Sequence, residues 1–334
     1  MSPRISADRS TSRFLVVHSD PGLHPLDSSM QARLEGLGAQ VVLFAGTHDD
    51  FLEAAIDADA ILNADFQITA RIVASLRCCR VISRFGIGVD NIDVDAATAR
   101  GIPVANVPDF CTEEVANRAL TLLLACASQL LQLDRRVREG EWRGGELPDT
   151  VQIEGQILGL IGFGRIARAV ARRGRAFGMK VIAHDPYLTP SAIEQEGASA
   201  ASFEEVLSRS DILSLHAPLT PETHHLINAA ALRLVKPSAI LINCARGGLI
   251  DEQVLVDALR ERRLARAGLE VLESEPPRRD NPLVTMDQVV FTPHSAAHTK
   301  KALQRVREAA VDAVVRVLKG ERPLHVVNPS VLPG

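Results

Sequence analysis

A chain of 334 residues is long enough for two domains of ordinary size, each burying its own core. With 46% hydrophobic and 23% charged residues it has the balance of a soluble globular protein, and no apolar run reaches membrane-spanning length. The net charge of −4 supplies no general attraction to nucleic acid or to anionic lipid, so neither is expected as a partner.

Five cysteines, Cys78, Cys79, Cys111, Cys126 and Cys244, form an odd set without metal-ligand spacing in a chain too large to need disulfides. A reducing cytoplasm is the compartment this usage fits. The opening dozen residues are polar and lack an apolar core, so they read as a loose tail and not as a secretory signal.

Residues 14–18 read as a buried strand, 28–37 as a helix and 40–44 as a second strand. The alternation continues with a strand at 59–63, a helix at 69–76 and strands at 80–83 and 102–105, the pattern of a parallel α/β sheet. Gly86-Ile87-Gly88 lies in this block, but it lacks a small third residue and no long helix follows it. It does not read as a dinucleotide turn. Asn106-Val107-Pro108-Asp109 then interrupts the block, because proline disfavours regular helix.

A long helical pattern is expected over about 112–138, opened by a capping-box-like Cys111 or Thr112 leading into Glu113 and Glu114. Such a helix can bridge domains or form a dimer surface. It ends in a glycine-rich loop at 139–145 holding the only tryptophan, Trp142, which is expected as a packing anchor.

Residues 157–185 read as strand, tight glycine turn, helix and strand. Gly162 permits the turn, Gly164 lets backbone N–H groups approach a pyrophosphate, and small Ala167 lets the helix pack closely on the sheet. The helix N-terminus offers partial positive charge to phosphates, and Arg165 could reach one. Asp185, closing the next strand, is the carboxylate expected to accept hydrogen bonds from an adenosine ribose, which favours NAD over NADP. Arg165, Arg168, Arg172 and Arg175 share one helix face and read as a solvated face and not as a polyanion patch. Strands at 180–184, 211–215, 239–243, 266–271 and 289–292, with helices between most of them, make a doubly wound sheet. An amphipathic helix at about 300–319 precedes a proline-rich end.

Ligands of open α/β sheets gather beyond the carboxyl ends of the strands, and three chemically able residues fall there. Arg246 follows a buried strand, and a guanidinium grips a carboxylate with two parallel hydrogen bonds. Glu275 follows another strand, and His294 a third. A histidine that trades a proton with a carbonyl or alcohol oxygen needs a carboxylate to fix its tautomer, a task Glu275 performs only if folding brings it within reach. From residues alone, a functional and a structural reading of His294 both stand. His298 lies four residues on, but no acid follows in the zinc-protease manner, and no metal is expected. His224-His225 reads as solvated in a polar turn, and Cys244 as a buried, inert thiol.

Several motifs now stand in order: Gly86-Ile87-Gly88-Val89-Asp90-Asn91-Ile92-Asp93, Gly159-Leu160-Ile161-Gly162-Phe163-Gly164-Arg165-Ile166, His216-Ala217-Pro218-Leu219-Thr220, Asn243-Cys244-Ala245-Arg246-Gly247, and Glu275-Pro276 with Thr292-Pro293-His294. Across about 14–329 the chain resembles the D-isomer-specific 2-hydroxyacid dehydrogenase family, and Thr112-Glu113-Glu114-Val115-Ala116 is similar to its C-terminal-binding-protein branch.

The resemblance implies a Rossmann NAD-binding domain, 109–296, inserted in a flavodoxin-like substrate domain made of 1–108 and 297–334. The cleft between them would close over substrate. It implies that Arg246 binds the substrate carboxylate and polarises the carbonyl, that His294 is the general acid or base, and that Glu275 orients the imidazole. Ile87 and Gly88 would hold the substrate carboxylate on backbone N–H groups. Gly162, Gly164, Arg165, Ile166, Asp185, His216, Pro218, Thr223, Cys244, Ala245 and Glu270 would contact NAD.

The activity implied is interconversion of a 2-ketoacid and a D-2-hydroxyacid by a cytoplasmic homodimer. A dinucleotide-sensing, corepressor-like binding protein with vestigial catalysis is the alternative. Two departures stand out: Glu270 replaces the usual aspartate of a Gly-Leu-Asp-Val segment, and Asn117 replaces an acid after Val-Ala.

Overall fold

A computed structural model describes residues 12–142 and 150–332. The expected tail and the last part of the 139–145 loop lie outside the described residues. The chain divides into two compact units, Met1–Phe110 with Thr299–Gly334, and Cys111–His298.

The first unit holds β1 (Phe14–His18), α1 (Ser28–Glu35), β2 (Ala39–Leu43), α2 (His48–Ala55), β3 (Ala60–Asn63), α3 (Ala70–Ser75), β4 (Val81–Arg84), α4 (Val94–Ala99) and β5 (Val104–Ala105). Its strands are parallel in the order β2-β1-β3-β4-β5, the doubly wound order of flavodoxin-like folds. Strand side chains alternate between faces, so Leu15, Val17, Ile61 and Ile82 enter one core with Phe51 and Ile72 from the helices. The opposite face is covered by α1 beside β2 and, over β3 and β4, from the chain's far end. There the Ser83 hydroxyl donates to the Ala310 carbonyl at 2.9 Å. Asn328 accepts from Val104 N at 2.8 Å and donates to the Ile102 carbonyl at 3.0 Å, tying the last segment to β5.

The second unit runs α5 (Thr112–Ser128), α6 (Leu130–Arg138), β6 (Ile157–Ile161), α7 (Arg165–Ala176), β7 (Lys180–His184), α8 (Pro190–Gln195), β8 (Ser199–Ala200), α9 (Phe203–Arg209), β9 (Ile212–Leu215), α10 (Ala229–Leu234), β10 (Ile240–Asn243), α11 (Glu252–Arg260), β11 (Arg266–Leu269) and β12 (Val289–Phe291). The last helix, α12 (Lys300–Leu318), returns to the first unit, where its buried Val306, Ala310 and Val314 form the stripe that faces β3 and β4.

Seven parallel strands of the second unit take the order β12-β11-β10-β9-β6-β7-β8. The order reverses at β6, the first strand of the unit, as in a Rossmann sheet. Each face has its own core: Leu158, Leu160, Ile240 and Ile242 pack with α5 and α7, while Ile161, Leu213, Leu215 and Leu241 pack with α9, α10 and α11. Truncating such a residue, Leu160→Ala for example, costs roughly 2–5 kcal/mol.

Three local expectations are corrected. The long helix is two: α5 ends where Gln129 adopts a left-handed conformation (φ 54°), and α6 buries none of its residues, because the apolar face that anchors α5 runs out. Cys111 sits at the N-cap of α5 without a side-chain capping bond, a thiol being a weak acceptor, so no capping box forms there. Trp142 is 85% exposed and is no packing anchor. Expected strand limits hold for β1 and β7, while α2, α4 and the two-residue β8 have no counterpart among the expected elements.

Among the described residues, no helix is long and apolar enough to cross a membrane. Among the described residues, none of the five cysteines forms a disulfide.

Candidate active site

The turn after β6 is built by steric necessity. Gly162 has φ +82°, and a Cβ there would lie 2.7 Å from Ala217 N. Beyond it, the face at Gly164 is open, with nothing within 4 Å of a Cβ placed on it. Gly164 is the N-cap of α7 and gives no side-chain bond, whereas Asp27, Thr47, Thr189, Ser202 and Asp251 cap their helices through side chains. The first turn of α7 thus keeps N–H donors aimed at an open glycine face, which fits a pyrophosphate. Asp185 follows β7 and is held beside this turn, accepting from Phe163 N at 2.8 Å and from Tyr187 N at 3.0 Å. Its place at the edge of the turn fits a ribose acceptor.

The basic face of α7 is consumed by protein contacts. Arg168 pairs with Glu196 at 3.0 Å, Arg172 with Glu113 at 3.0 Å, and Arg175 donates to the Gly197 carbonyl at 3.0 Å. Arg165 and Ile166 open the helix, and Arg165 is exposed.

On the other side of β6, His216 follows β9, with Nε2 2.9 Å from the Ser214 hydroxyl. Burial drives its pKa down to about 4, so the imidazole is neutral. Pro218 and Thr223 belong to the same loop, where the Thr223 hydroxyl donates to the Pro218 carbonyl at 2.6 Å.

Arg246 leaves β10 through a loop fastened by Asn243, a wholly buried amide. Its side chain donates to the Arg246 carbonyl at 2.8 Å and accepts from Ala245 N at 3.0 Å. Asn243 had no role assigned from sequence, although a buried amide at a strand end is the signal that marks it. Burial, reinforced by the Glu270 charge, pushes the Cys244 thiol well above its usual range, so it stays protonated and inert.

His294 emerges after β12 in a left-handed conformation (φ 48°), a sparsely populated state for histidine. Its Nδ1 lies 2.7 Å from Glu275 Oε2, while Glu275 Oε1 accepts from Leu272 N at 2.9 Å. Burial acts to raise the Glu275 pKa. The His294 hydrogen bond, the Leu272 N–H and the charges of His294 and Arg246 outweigh it, and the net shift is downward. Two residues far apart in sequence are thus in direct contact, with Arg246 close enough to act on one of them. The His294 side chain is half exposed.

Residues 120–296 match the family model described as D-isomer specific 2-hydroxyacid dehydrogenase, NAD binding domain. The chain belongs to the D-isomer-specific 2-hydroxyacid dehydrogenase family. It is 39% identical over 311 residues to the D-3-phosphoglycerate dehydrogenase of Methanocaldococcus jannaschii, covering 92% of this chain and 59% of that protein. The chain therefore spans little more than half the length of that relative. It is 40% identical over 259 residues to the glyoxylate reductase of Thermococcus litoralis, covering 76% of this chain and 78% of that one. The crystal structure of D-lactate dehydrogenase from Aquifex aeolicus complexed with NAD and lactic acid matches with a TM-score of 0.83 and 28% identity, covering 96% of this chain and 100% of that one.

Within this 2-hydroxyacid dehydrogenase fold, the Glu270 substitution has a structural partner. Glu270 is 2% exposed, and its carboxylate lies 3.5 Å from Arg118 of α5. It also accepts from the Thr292 hydroxyl and, at 2.5 Å, from Ala296 N, while its carbonyl accepts from His294 N at 2.9 Å. The longer acid thus grips the segment that carries His294. Sequence reading missed Arg118, because nothing local announces a partner so far along the chain. Asn117, the other departure, accepts from Arg173 Nε at 2.9 Å and so ties α5 to α7.

Ile87 and Gly88 lie in the first unit, in the loop after β4. The Asn106 side chain donates to the Ile87 carbonyl at 2.7 Å there.

Proposed function

We propose that the protein is an NAD-dependent dehydrogenase that interconverts a 2-ketoacid and a D-2-hydroxyacid. The observation carrying this is the 2.7 Å contact between His294 Nδ1 and Glu275, with Arg246 nearby, all beyond the carboxyl ends of strands in the Rossmann sheet. The uncapped α7 start, the open face at Gly164 and the carboxylate of Asp185 fit NAD, which when bound supplies or takes up the hydride.

Arg246 would bind the substrate carboxylate in a two-pronged grip and draw electron density from the neighbouring carbonyl. His294 would deliver a proton from Nε2 to the carbonyl oxygen during reduction and accept it during oxidation. Glu275, ionised, would fix Nδ1–H and hold the ring in place. Contacts of Ile87 and Gly88 with the substrate carboxylate, of His216, Pro218, Thr223, Cys244, Ala245 and Glu270 with the cofactor, and the homodimer are parts of the same proposal. No observation favours the corepressor-like alternative.

The relatives named above act on phosphoglycerate, glyoxylate or lactate, so the substrate is sought among small ketoacids. Oxidation of NADH by glyoxylate, hydroxypyruvate, pyruvate and 2-ketoisocaproate is the direct test. Activity on at least one, reduced roughly 100- to 10,000-fold in His294→Asn with NADH affinity retained, supports the reading. Inactivity on all of them at high protein concentration, or full turnover in the variant, refutes it.

A further inference from the structure

We propose that His224, His225 and Glu273 form a binding site for a divalent transition-metal ion of the zinc class. Among the described residues they are the one group of three such side chains offering a donor atom each within 4.8 Å of the others. The two imidazoles stack with centroids 3.9 Å apart and planes 25° apart, and His225 Nε2 lies 2.7 Å from Glu273 Oε1. Two nitrogens and a carboxylate oxygen are the donor set that zinc and its neighbours prefer.

The cluster is not the chance meeting of long surface side chains. Adjacent residues ordinarily project to different sides of the backbone, but His225 has φ 51°, in the left-handed region, and its ring lies against that of His224. The backbone is fixed in that shape by His225 N donating to the Gly248 carbonyl at 2.8 Å and His224 N to the Thr220 carbonyl at 2.9 Å. Glu273 comes from a separate loop, and Gly247 is so close to the backbone of that loop that a Cβ would lie 2.3 Å from Glu273 N. Both halves of the site are therefore anchored to the same stretch around Gly247 and Gly248.

A further carboxylate stands near the other nitrogen of His225. Asp251 spends Oδ1 on capping α11 through Val254 N at 3.2 Å, while its Oδ2 faces His225 Nδ1 at 4.0 Å. A carboxylate behind the non-ligating nitrogen orients a metal-bound imidazole and raises its basicity. Donors on one zinc sit about 2.0–2.2 Å from the ion, hence roughly 3.3 Å from one another, so side-chain rotation alone closes the cluster. His224 and Glu273 are exposed, so the ion enters from solvent and water fills the fourth position. No local pattern marks this site, because Glu273 lies 48 residues beyond His225. Glu273 shares its loop with Glu275, so a bound ion fastens the segment that positions His294.

The test uses the tag-free full chain, stripped with a chelator and titrated with Zn²⁺ by calorimetry, with Co²⁺ absorption as a probe of coordination. One ion per chain, bound about tenfold or more weakly in both H224A and E273Q while their circular dichroism is unchanged, supports the site. No saturable uptake by the unaltered chain, or wild-type affinity in either variant, overturns it. Both readouts are independent of turnover, so failure here is distinguishable from failure of the dehydrogenase reading.

Discussion

Gly247 and Leu272 are in backbone contact: a Cβ on Gly247 would lie 1.9 Å from the Leu272 carbonyl carbon. The loop that carries Arg246 and the loop that carries Glu275 are thereby held at a fixed separation. Gly247→Ala forces them apart and is expected to cost about 1–3 kcal/mol of stability, the usual penalty of overpacking. On the dehydrogenase reading proposed above, the larger effect is expected on turnover, because Arg246 and Glu275 would no longer address the same point. Urea unfolding together with kcat and the KM for NADH checks this; kcat unchanged in a folded variant would show that the separation is unimportant.

The Arg118–Glu270 pair gives a prediction about stability. Glu270 has a side chain only 1% exposed, against 25% for Arg118. Arg118→Met leaves a carboxylate buried without its counter-charge, which costs about 3 kcal/mol, the low end for a broken buried pair because the arginine is partly wet. The double variant with Glu270→Gln should recover part of that loss. Urea midpoints of the three proteins decide it, and equal midpoints for wild type and Arg118→Met would remove the pair from the account.

Asp185→Asn keeps the shape of the side chain and removes its charge. With Asp185 as the proposed ribose acceptor, a ribose hydroxyl would lose a charge-assisted partner, so the KM for NADH is expected to rise about tenfold, with a smaller change for NADPH. Initial rates with both cofactors measure the ratio. A ratio that stays at its wild-type value argues that the ribose is held elsewhere.

His216 sets a pH dependence of stability. Burial holds its pKa near 4 in the folded chain, below the ordinary value of 6.5, so between these limits the unfolded chain binds more protons. Stability therefore rises with pH across that window, is fully present above 6.5 and is lost as the pH falls toward 4. The whole effect is on the order of 3 kcal/mol. His24, also lowered to about 4 by burial and by the Arg84 and Arg307 charges, acts in the same direction. Melting temperatures of wild type and His216→Gln from pH 4 to 8 should converge at low pH, and parallel curves would contradict the assignment.

Much of this molecule is legible from its linear order because buried parallel strands are short, continuous apolar runs. Phe14–His18 and Lys180–His184 take the limits expected for them. Arg246, Glu275 and His294 could be singled out because each stands just past such a run. The break at Gln129 could not, since left-handed backbone is usually announced by glycine or asparagine, and glutamine carries no such mark. Nor could periodicity reveal that the first unit is assembled from both ends of the chain. The Ser83–Ala310 hydrogen bond that records it joins residues 227 positions apart. The partnership of Arg118 with Glu270 was hidden for the same reason.

That two-ended construction constrains the order in which the protein can be made. The second unit is one uninterrupted stretch and has every strand it needs once Phe291 has left the ribosome. The first unit emerges earlier yet must wait, with one face of its sheet still bare over β3 and β4, until Val306, Ala310 and Val314 are synthesised. The part of the chain born first is the part that matures last, and its nascent sheet is the surface a chaperone has most reason to shield.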